Sequence, residues 1–194
     1  EFALFIKEVC KEVTVKAGQK CTAIRRVLVP AEKLDAVRQA LISRLNKTTV
    51  GDPAVEGVRM GPLVSQSQRD DVAANVALLA EHCEIIFGGD TDALELQGDA
   101  IDRAAFYPPT VLLCPNPKTT EAPHNIEAFG PVTTLMPYDS LEDAIEIAAL
   151  GKGSLVASVV TYDDQEASDL VLGAAAYHGR ILVLNRDCAK ASTG

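Results

Sequence analysis

Segments with helical periodicity alternate with short strand-like runs along this chain, and this alternation restricts the fold more than any other feature. Apolar residues recur every three or four positions over 2–13, 31–47, 65–83, 139–149 and 163–177. Between these segments lie apolar runs typical of strands, at 24–29, 85–87, 107–113, 132–136, 154–161 and 180–184. The alternation favours an α/β protein with one mostly parallel sheet covered by helices on both faces. At 194 residues the chain is expected to form a single domain, residues 1–194.

Local signals predict where several of these elements begin. Ser65, Asp139 and Asp163 are each followed three positions later by Gln or Glu, a capping-box pattern that predicts three helix starts. Turn-forming residues predict an ordered loop over 51–62 and a surface excursion over 88–105.

The composition restricts the classes of partner. The formal net charge is −9 at pH 7, so an extended nucleic-acid surface is not expected, because binding phosphates requires a dense basic face. No apolar run reaches the length that crosses a bilayer. We therefore expect a protein of the cytoplasm that acts on a small molecule, with neither a nucleic-acid nor a membrane partner.

Five cysteines are spread along the chain, without a Cys-x-x-Cys pair or a histidine at metal-ligand spacing. This odd, scattered set is typical of reduced thiols and predicts neither a disulfide framework nor a metal site. Cys10, Cys83 and Cys114 are interpreted as small buried hydrophobic residues. Cys188 lies in a polar tail, and its role stays open.

Cys21 is the candidate nucleophile. It follows the turn-forming residues Ala17-Gly18-Gln19, on a loop between a predicted helix and a predicted strand, where reactive side chains often lie. A thiol attacks only as its thiolate, so Cys21 needs a positive field or a base. The adjacent Lys20 could supply some field, but it is interpreted mainly as a solvated charge.

Two other functions remain open at this point. A thiol hydrolase or acyltransferase would use Cys21 with His82, His124 or His178 folded back to the sulfur. A non-catalytic assembly domain would instead pair its sheet edge with a partner. A histidine within hydrogen-bond reach of Cys21 would favour the first alternative, and activity that survives replacement of Cys21 would favour the second.

A series of short motifs resembles the aldehyde dehydrogenase family. The segment 17–23 is similar to that family's Gly-Gln-x-Cys motif, and further landmarks follow in the family's order over nearly the whole chain. These landmarks are 50–53, 61–63, 87–89, 109–111, 127–132, the strand ending at 161, and 179–185. Each short motif alone is weak evidence, whereas the order and spacing of all of them are specific to the family. The resemblance implies the family's three-layer catalytic-domain fold.

The same resemblance implies an NAD(P)-dependent oxidation of an aldehyde. Cys21 would add to the carbonyl and form a thiohemiacetal whose oxyanion is held partly by the backbone N–H of Cys21. After hydride transfer to the nicotinamide, water would release the acid from a thioester. Glu127 matches the glutamate that hydrogen-bonds the nicotinamide ribose, and Phe129 matches the aromatic residue near the nicotinamide. The family also implies a homo-oligomer.

Other segments resemble one branch of the family. Residues 151–155 stand where many members have Tyr-Gly-Leu, and the tail 185–194 replaces the usual Phe-Gly-Gly region. Together with 20–26, 127–132 and 192–194, these segments are similar to those of one branch of the family. Members of that branch join an oxepin-CoA hydrolase to a semialdehyde dehydrogenase of phenylacetate degradation, and they use NADP. The branch implies a CoA-linked semialdehyde as the substrate.

Parts of the family's machinery have no match in this sequence. The Gly-rich dinucleotide-binding domain, the general-base glutamate, the oxyanion asparagine and the hydratase half are expected in other parts of a longer protein. NADP or NAD would therefore be bound mainly by a separate domain. The isolated chain is expected to fold, to keep a thiol at Cys21 and to show no appreciable dehydrogenase activity.

Overall fold

The computed structural model describes residues 1–98 and 105–189 as an α/β arrangement. The α-helices of this part are α1 (Phe2–Thr14), α2 (Leu34–Leu45), α3 (Gln66–Ala80), α4 (Ala122–Asn125), α5 (Leu141–Ala149) and α6 (Asp164–Ala174). The strands are β1 (Arg26–Pro30), β2 (Glu84–Phe87), β3 (Thr110–Leu113), β4 (Val132–Tyr138), β5 (Ser154–Val160) and β6 (His178–Leu184). Short 3₁₀ turns are Val15–Gly18, Ala31–Lys33 and Ala175–Tyr177.

Two predictions fall partly outside the described residues. Residues 99–104 belong to the predicted surface excursion, and residues 190–194 belong to the tail that contributes to the branch resemblance. Within the described ranges, no helix combines the length and apolar character that a membrane span requires.

The strands of the described part form two sheets, whereas the sequence predicts one. The larger sheet has the order β1-β4-β3-β2, with β1, β4 and β3 parallel and β2 antiparallel to β3. Strands β5 and β6 pair in parallel as a separate two-stranded sheet. The mostly parallel α/β class is confirmed, but the single sheet is wrong. An apolar run shows that a segment is extended, whereas its pairing partner is chosen by packing over the whole chain.

Helices cover both faces of the four-stranded sheet. Successive residues of β3 and β4 point to opposite faces, as the pleat of a strand requires. Val111 and Leu135 join a buried cluster with residues of α1 and α2. Leu112 and Met136 join a second buried cluster, which includes residues of α3 and Ile147 of α5. The predicted three-layer arrangement is therefore present around this sheet.

Two of the three predicted helix caps are confirmed. The Ser65 hydroxyl accepts from a backbone N–H in the first turn of α3, and the Asp163 carboxylate does the same for α6. The prediction for α5 is wrong by one residue, because Ser140 rather than Asp139 caps the helix. Ser140 has the extended backbone of an N-cap (φ −140°, ψ 167°), so its hydroxyl reaches the N–H of Asp143 at 3.2 Å.

Candidate active site

Cys21 lies exposed on the loop between α1 and β1. The chain leaves α1 through three consecutive residues with left-handed backbone, Lys16 (φ 54°), Ala17 (φ 50°) and Gly18 (φ 70°). Residues other than glycine adopt this conformation at some cost in energy, so the surroundings must hold the turn in place. Position 18 must be glycine, because a Cβ there would overlap the carbonyl oxygen of Gly130. The turn therefore brings the Cys21 loop against the segment that precedes β4.

Gln19 links the Cys21 loop to two other segments. Its Oε1 accepts from the backbone N–H of Val64 at 2.9 Å, and its Nε2 donates to the carbonyl of Phe129 at 3.2 Å. A single amide can make both contacts because it carries a donor and an acceptor. This positioning role was missed in the sequence, where the Gly-Gln-x-Cys motif is the signal that could have found it.

Lys20 is paired rather than solvated. Its Nζ lies 2.6 Å from Oε2 of Glu12 near the end of α1, and the two side chains are only 21% and 19% exposed. The interpretation as a solvated charge is therefore wrong, because the turn after α1 folds Lys20 back onto that helix. The adjacent carboxylate offsets the positive field that Lys20 could apply to Cys21.

Glu127 and Phe129 lie on the segment between α4 and β4, on either side of the buried Ala128. Both side chains are exposed, and Phe129 has 38% of its surface accessible. Within the described residues, the Glu127 carboxylate has no hydrogen-bond or ion-pair partner. Its backbone carbonyl, by contrast, accepts from the side chain of Asn75 at 3.2 Å. The backbone is thus held from α3 while both side chains are free to contact a ligand.

The fold brings the two predicted site segments together. A narrow cleft is lined from one side by Gly18, Lys20 and residues 23–25, and from the other by residues 127–130 and Val132. A larger open groove of about 360 Å³ lies along the preceding part of the loop. That groove is lined by Lys16, Ala17, Gln19, Pro53, Gly61, Pro62 and Val64.

The other thiols differ from Cys21 in their surroundings. Cys10, Cys83 and Cys114 are buried, as predicted. Burial raises the pKa of Cys10 to about 11, and the pKa of Cys83 is raised because its S–H donates to Cys114 and because it is buried. Cys188 is half-buried, and its sulfur accepts from a backbone N–H in the same turn. Cys21 is therefore the thiol best placed to meet a substrate.

The histidines do not provide a base for Cys21. Nδ1 of His124 lies 3.0 Å from Nη1 of Arg26, and its Nε2 lies 2.7 Å from the carbonyl oxygen of Pro117. Nδ1 of His178 contacts a carbonyl at the end of α6. Within residues 1–98 and 105–189, no histidine hydrogen-bonds to Cys21, and no group of three or more His, Cys, Asp or Glu residues is placed to hold a metal ion. The hydrolase or acyltransferase alternative is not favoured.

Comparison with known proteins agrees with this arrangement. The sequence profile of the aldehyde dehydrogenase family matches residues 1–177, and this chain belongs to that family. It is 44% identical over 194 residues to 3,4-dehydroadipyl-CoA semialdehyde dehydrogenase of Aromatoleum evansii, covering 100% of this chain and 38% of the relative. It is 46% identical over 136 residues to Protein MaoC of Klebsiella aerogenes, covering 70% of this chain and 38% of that protein. The chain thus spans well under half the length of these relatives.

Solved structures show the same fold. Betaine aldehyde dehydrogenase from Staphylococcus aureus in complex with NAD⁺ superimposes with a TM-score of 0.83 at 26% identity, covering 94% of this chain and 35% of that chain. Glyceraldehyde-3-phosphate dehydrogenase from Methanocaldococcus jannaschii, complexed with NADP, gives 0.79 at 22% identity, covering 94% of this chain and 37% of that chain. The family fold implied by the sequence motifs is confirmed.

Proposed function

We propose that residues 1–194 are the cysteine-bearing catalytic domain of a longer NAD(P)-dependent aldehyde dehydrogenase, with Cys21 as its nucleophile. The observation that carries this proposal is the exposed Cys21 thiol on a strained loop that is held against the segment bearing Glu127 and Phe129. Membership of the family supports the reaction class.

Cys21 performs the covalent steps. Its thiolate adds to the aldehyde carbon, forming a C–S bond while the carbonyl electrons move to oxygen. Among the described residues nothing accepts from the backbone N–H of Cys21, so this donor is available to the resulting oxyanion. Once the carbon is oxidised to the thioester level, water attacks it, the C–S bond breaks, and the acid leaves with the Cys21 thiol restored.

Glu127 and Phe129 fit a nicotinamide cofactor. An exposed carboxylate without a protein partner can accept from both hydroxyls of a ribose, and an exposed ring can pack against a planar heterocycle. When bound, the nicotinamide supplies the hydride acceptor. We take the cofactor to be NADP, on the strength of the branch resemblance, with most of its contacts on a separate dinucleotide-binding domain.

The substrate class follows from the relatives. The similarity to a protein named as a CoA semialdehyde dehydrogenase supports a CoA-linked semialdehyde of phenylacetate catabolism. The general base lies outside this chain in the proposal, together with the hydratase half. A location in the cytoplasm is supported by five free cysteines in the described part of the chain. A homo-oligomer is proposed on the strength of the family resemblance.

Replacement of the nucleophile in the full-length protein tests the proposal. Cys21→Ala is expected to lower NADPH formation from an aldehyde by at least about a thousandfold, because no other group replaces the thiolate. Cys188→Ala removes the other partly accessible thiol and is expected to retain activity. Oxidation that survives in Cys21→Ala contradicts the assignment, and turnover by the isolated 194-residue chain contradicts the need for a further domain.

A further inference from the structure

A half-buried guanidinium joins three segments of the molecule. Arg26 begins β1, five residues after Cys21. Its Nη1 donates to the carbonyl of Ile147 at 2.9 Å and lies 3.0 Å from Nδ1 of His124, and its Nη2 donates to the carbonyl of Ala148 at 3.1 Å. Both carbonyls belong to the last turn of α5, where a cation is favoured by the helix dipole. Arg26 thus ties the start of β1 to α4 and to α5.

The chemistry of the partners determines the protonation of His124. A guanidinium can only donate, so Nδ1 of His124 accepts from Arg26 and carries no proton. The carbonyl of Pro117 can only accept, so Nε2 carries the proton. The imidazole is 5% exposed, and burial and the neighbouring cations lower the pKa of His124. His124 is therefore a neutral residue with both nitrogens engaged.

Arg26 packs closely against the turn after α5. A Cβ at Gly151 would overlap Nη2 of Arg26, so a larger residue there would displace the end of this side chain from its hydrogen bonds. Burial lowers the pKa of Arg26 to about 10, which still leaves it charged at neutral pH. Lysine could not replace it, because a single ammonium lacks the planar fork that reaches three separate acceptors.

This contact holds one end of the segment that carries the proposed cofactor residues. His124 lies three positions before Glu127, at the end of α4. The other end is held where Gln19 donates to the carbonyl of Phe129. We propose that Arg26 and His124 are positioning residues for the oxidation, setting the Glu127 segment relative to the Cys21 loop. This inference rests on the proposed function.

Steady-state kinetics of the full-length enzyme test the role of His124. His124→Phe removes both polar contacts of the ring. It is expected to raise the KM for NADP about tenfold or more, because a small displacement of a positioning group weakens the contacts that it holds in place. His124→Gln keeps an acceptor and a donor and is expected to recover most of that loss. His178→Gln, the same replacement on β6, is the matched control and is expected to keep the wild-type KM.

The dependence of the KM for NADP on pH distinguishes a positioning role from a purely structural role, which would leave that dependence unchanged. On acidification, protonated His124 would face three cations, Arg25, Arg26 and Lys152. The KM for NADP of the wild type is therefore expected to rise towards acidic pH, and this rise is expected to be absent from His124→Gln. Variants that melt at the wild-type temperature and keep the wild-type KM and pH profile would overturn the inference, as would a loss of stability without any change in KM.

Calorimetric binding of NADP separates failure of this inference from failure of the proposed function. If the wild type binds NADP but oxidises no aldehyde, the proposed function fails, and the ratio of Kd between His124→Phe and wild type still decides the positioning role. A ratio of about tenfold supports positioning, and equal Kd values overturn it. If the wild type does not bind NADP at all, both proposals are overturned.

Discussion

The two sheets of this protein differ sharply in how much they bury. In the first region, residues 1–98 and 105–149, Val111, Leu112 and Leu135 are fully buried between helices. In the second region, residues 150–189, the buried apolar side chains are Ala174 and Leu184. The candidate site lies entirely within the first region. Its loops therefore connect helices and strands that pack into a closely packed core.

The second region depends on its neighbours for order. A two-stranded sheet is marginally stable in water, and Leu155 of β5 is 60% exposed. One contact with the first region is made by α6, which approaches α5 of that region closely enough that a Cβ at Gly173 would press on the side chain of Ile145. The comparison of the two regions shows that similarly apolar runs of sequence can form either strands in a buried core or strands in an exposed sheet.

Replacement of one leucine in each region should show the largest difference in stability. Leu112→Ala leaves a cavity at a residue with 0% exposure and is expected to lower the free energy of unfolding by about 3–5 kcal/mol. Leu172→Ala, on α6, changes a residue that is 76% exposed, and its effect should stay below about 0.5 kcal/mol. Urea denaturation of the 194-residue chain measures both. Equal losses would contradict the exposed position of Leu172 and the difference in packing between the two regions.

A pair of glycine substitutions should show how tightly the first region holds the Cys21 loop. Gly18→Ala combines a left-handed backbone with a clash against Gly130 and is expected to destabilise the chain by about 2–4 kcal/mol. Gly57→Ala is the control, because Gly57 has φ 89° but nothing within 4 Å of an added Cβ, so its loss should be about 1–2 kcal/mol. If both variants unfold at the same urea concentration, the loop is not locked against the segment before β4.

Native-state hydrogen exchange should separate the regions without any mutation. Backbone amides of β3 and β4 lie inside a four-stranded sheet, whereas β5 and β6 pair only with each other in the described part of the chain. The β5 and β6 amides are expected to exchange at least about tenfold faster, because local opening there exposes less buried surface. Mass spectrometry of peptides from the two regions measures the difference. Uniform protection would mean that the regions unfold as one unit.

Acid should weaken the first region through His124. The pKa of buried His124 is lowered, so the unfolded chain, with an ordinary histidine pKa of about 6.5, binds more protons than the folded chain. This contribution to stability is present above pH 6.5 and is lost as the pH falls below it, towards the folded pKa. His124→Gln should flatten the stability profile in this range, as measured by urea midpoints. His178→Gln is the control from the second region, and an equal flattening in both variants would contradict the assignment to His124.

Much of the local structure could be predicted from the sequence. The caps at Ser65 and Asp163 are read from residues within one helical turn, so no distant contact is needed to predict them. The cap of α5 shows the limit of that approach, since Asp139 and Ser140 are both good capping residues and the backbone selects Ser140. The roles of Cys21, Glu127 and Phe129 remain predictions that follow from motif matches.

The candidate site was predictable as a set of motifs but not as a geometry. The approach of Gly18 to Gly130 and the hydrogen bond from Gln19 to the Phe129 carbonyl join positions more than a hundred residues apart. The contact between Arg26 and His124 had no signal in the sequence, where His124 was considered only as one of three histidines that could fold back to Cys21. Such contacts depend on which elements pack together, and a local pattern does not contain that information.

The sequence by itself determined the α/β class, the location of the apolar runs and the membership of a family, because periodicity, capping residues and ordered motifs are local properties of the chain. Only the tertiary structure decided that β5 and β6 separate from the four-stranded sheet, that Lys20 pairs with Glu12, and that His124 is neutral beside Arg26. These outcomes depend on long-range packing, since a buried polar group takes whichever partner the fold brings within reach and is destabilising without one.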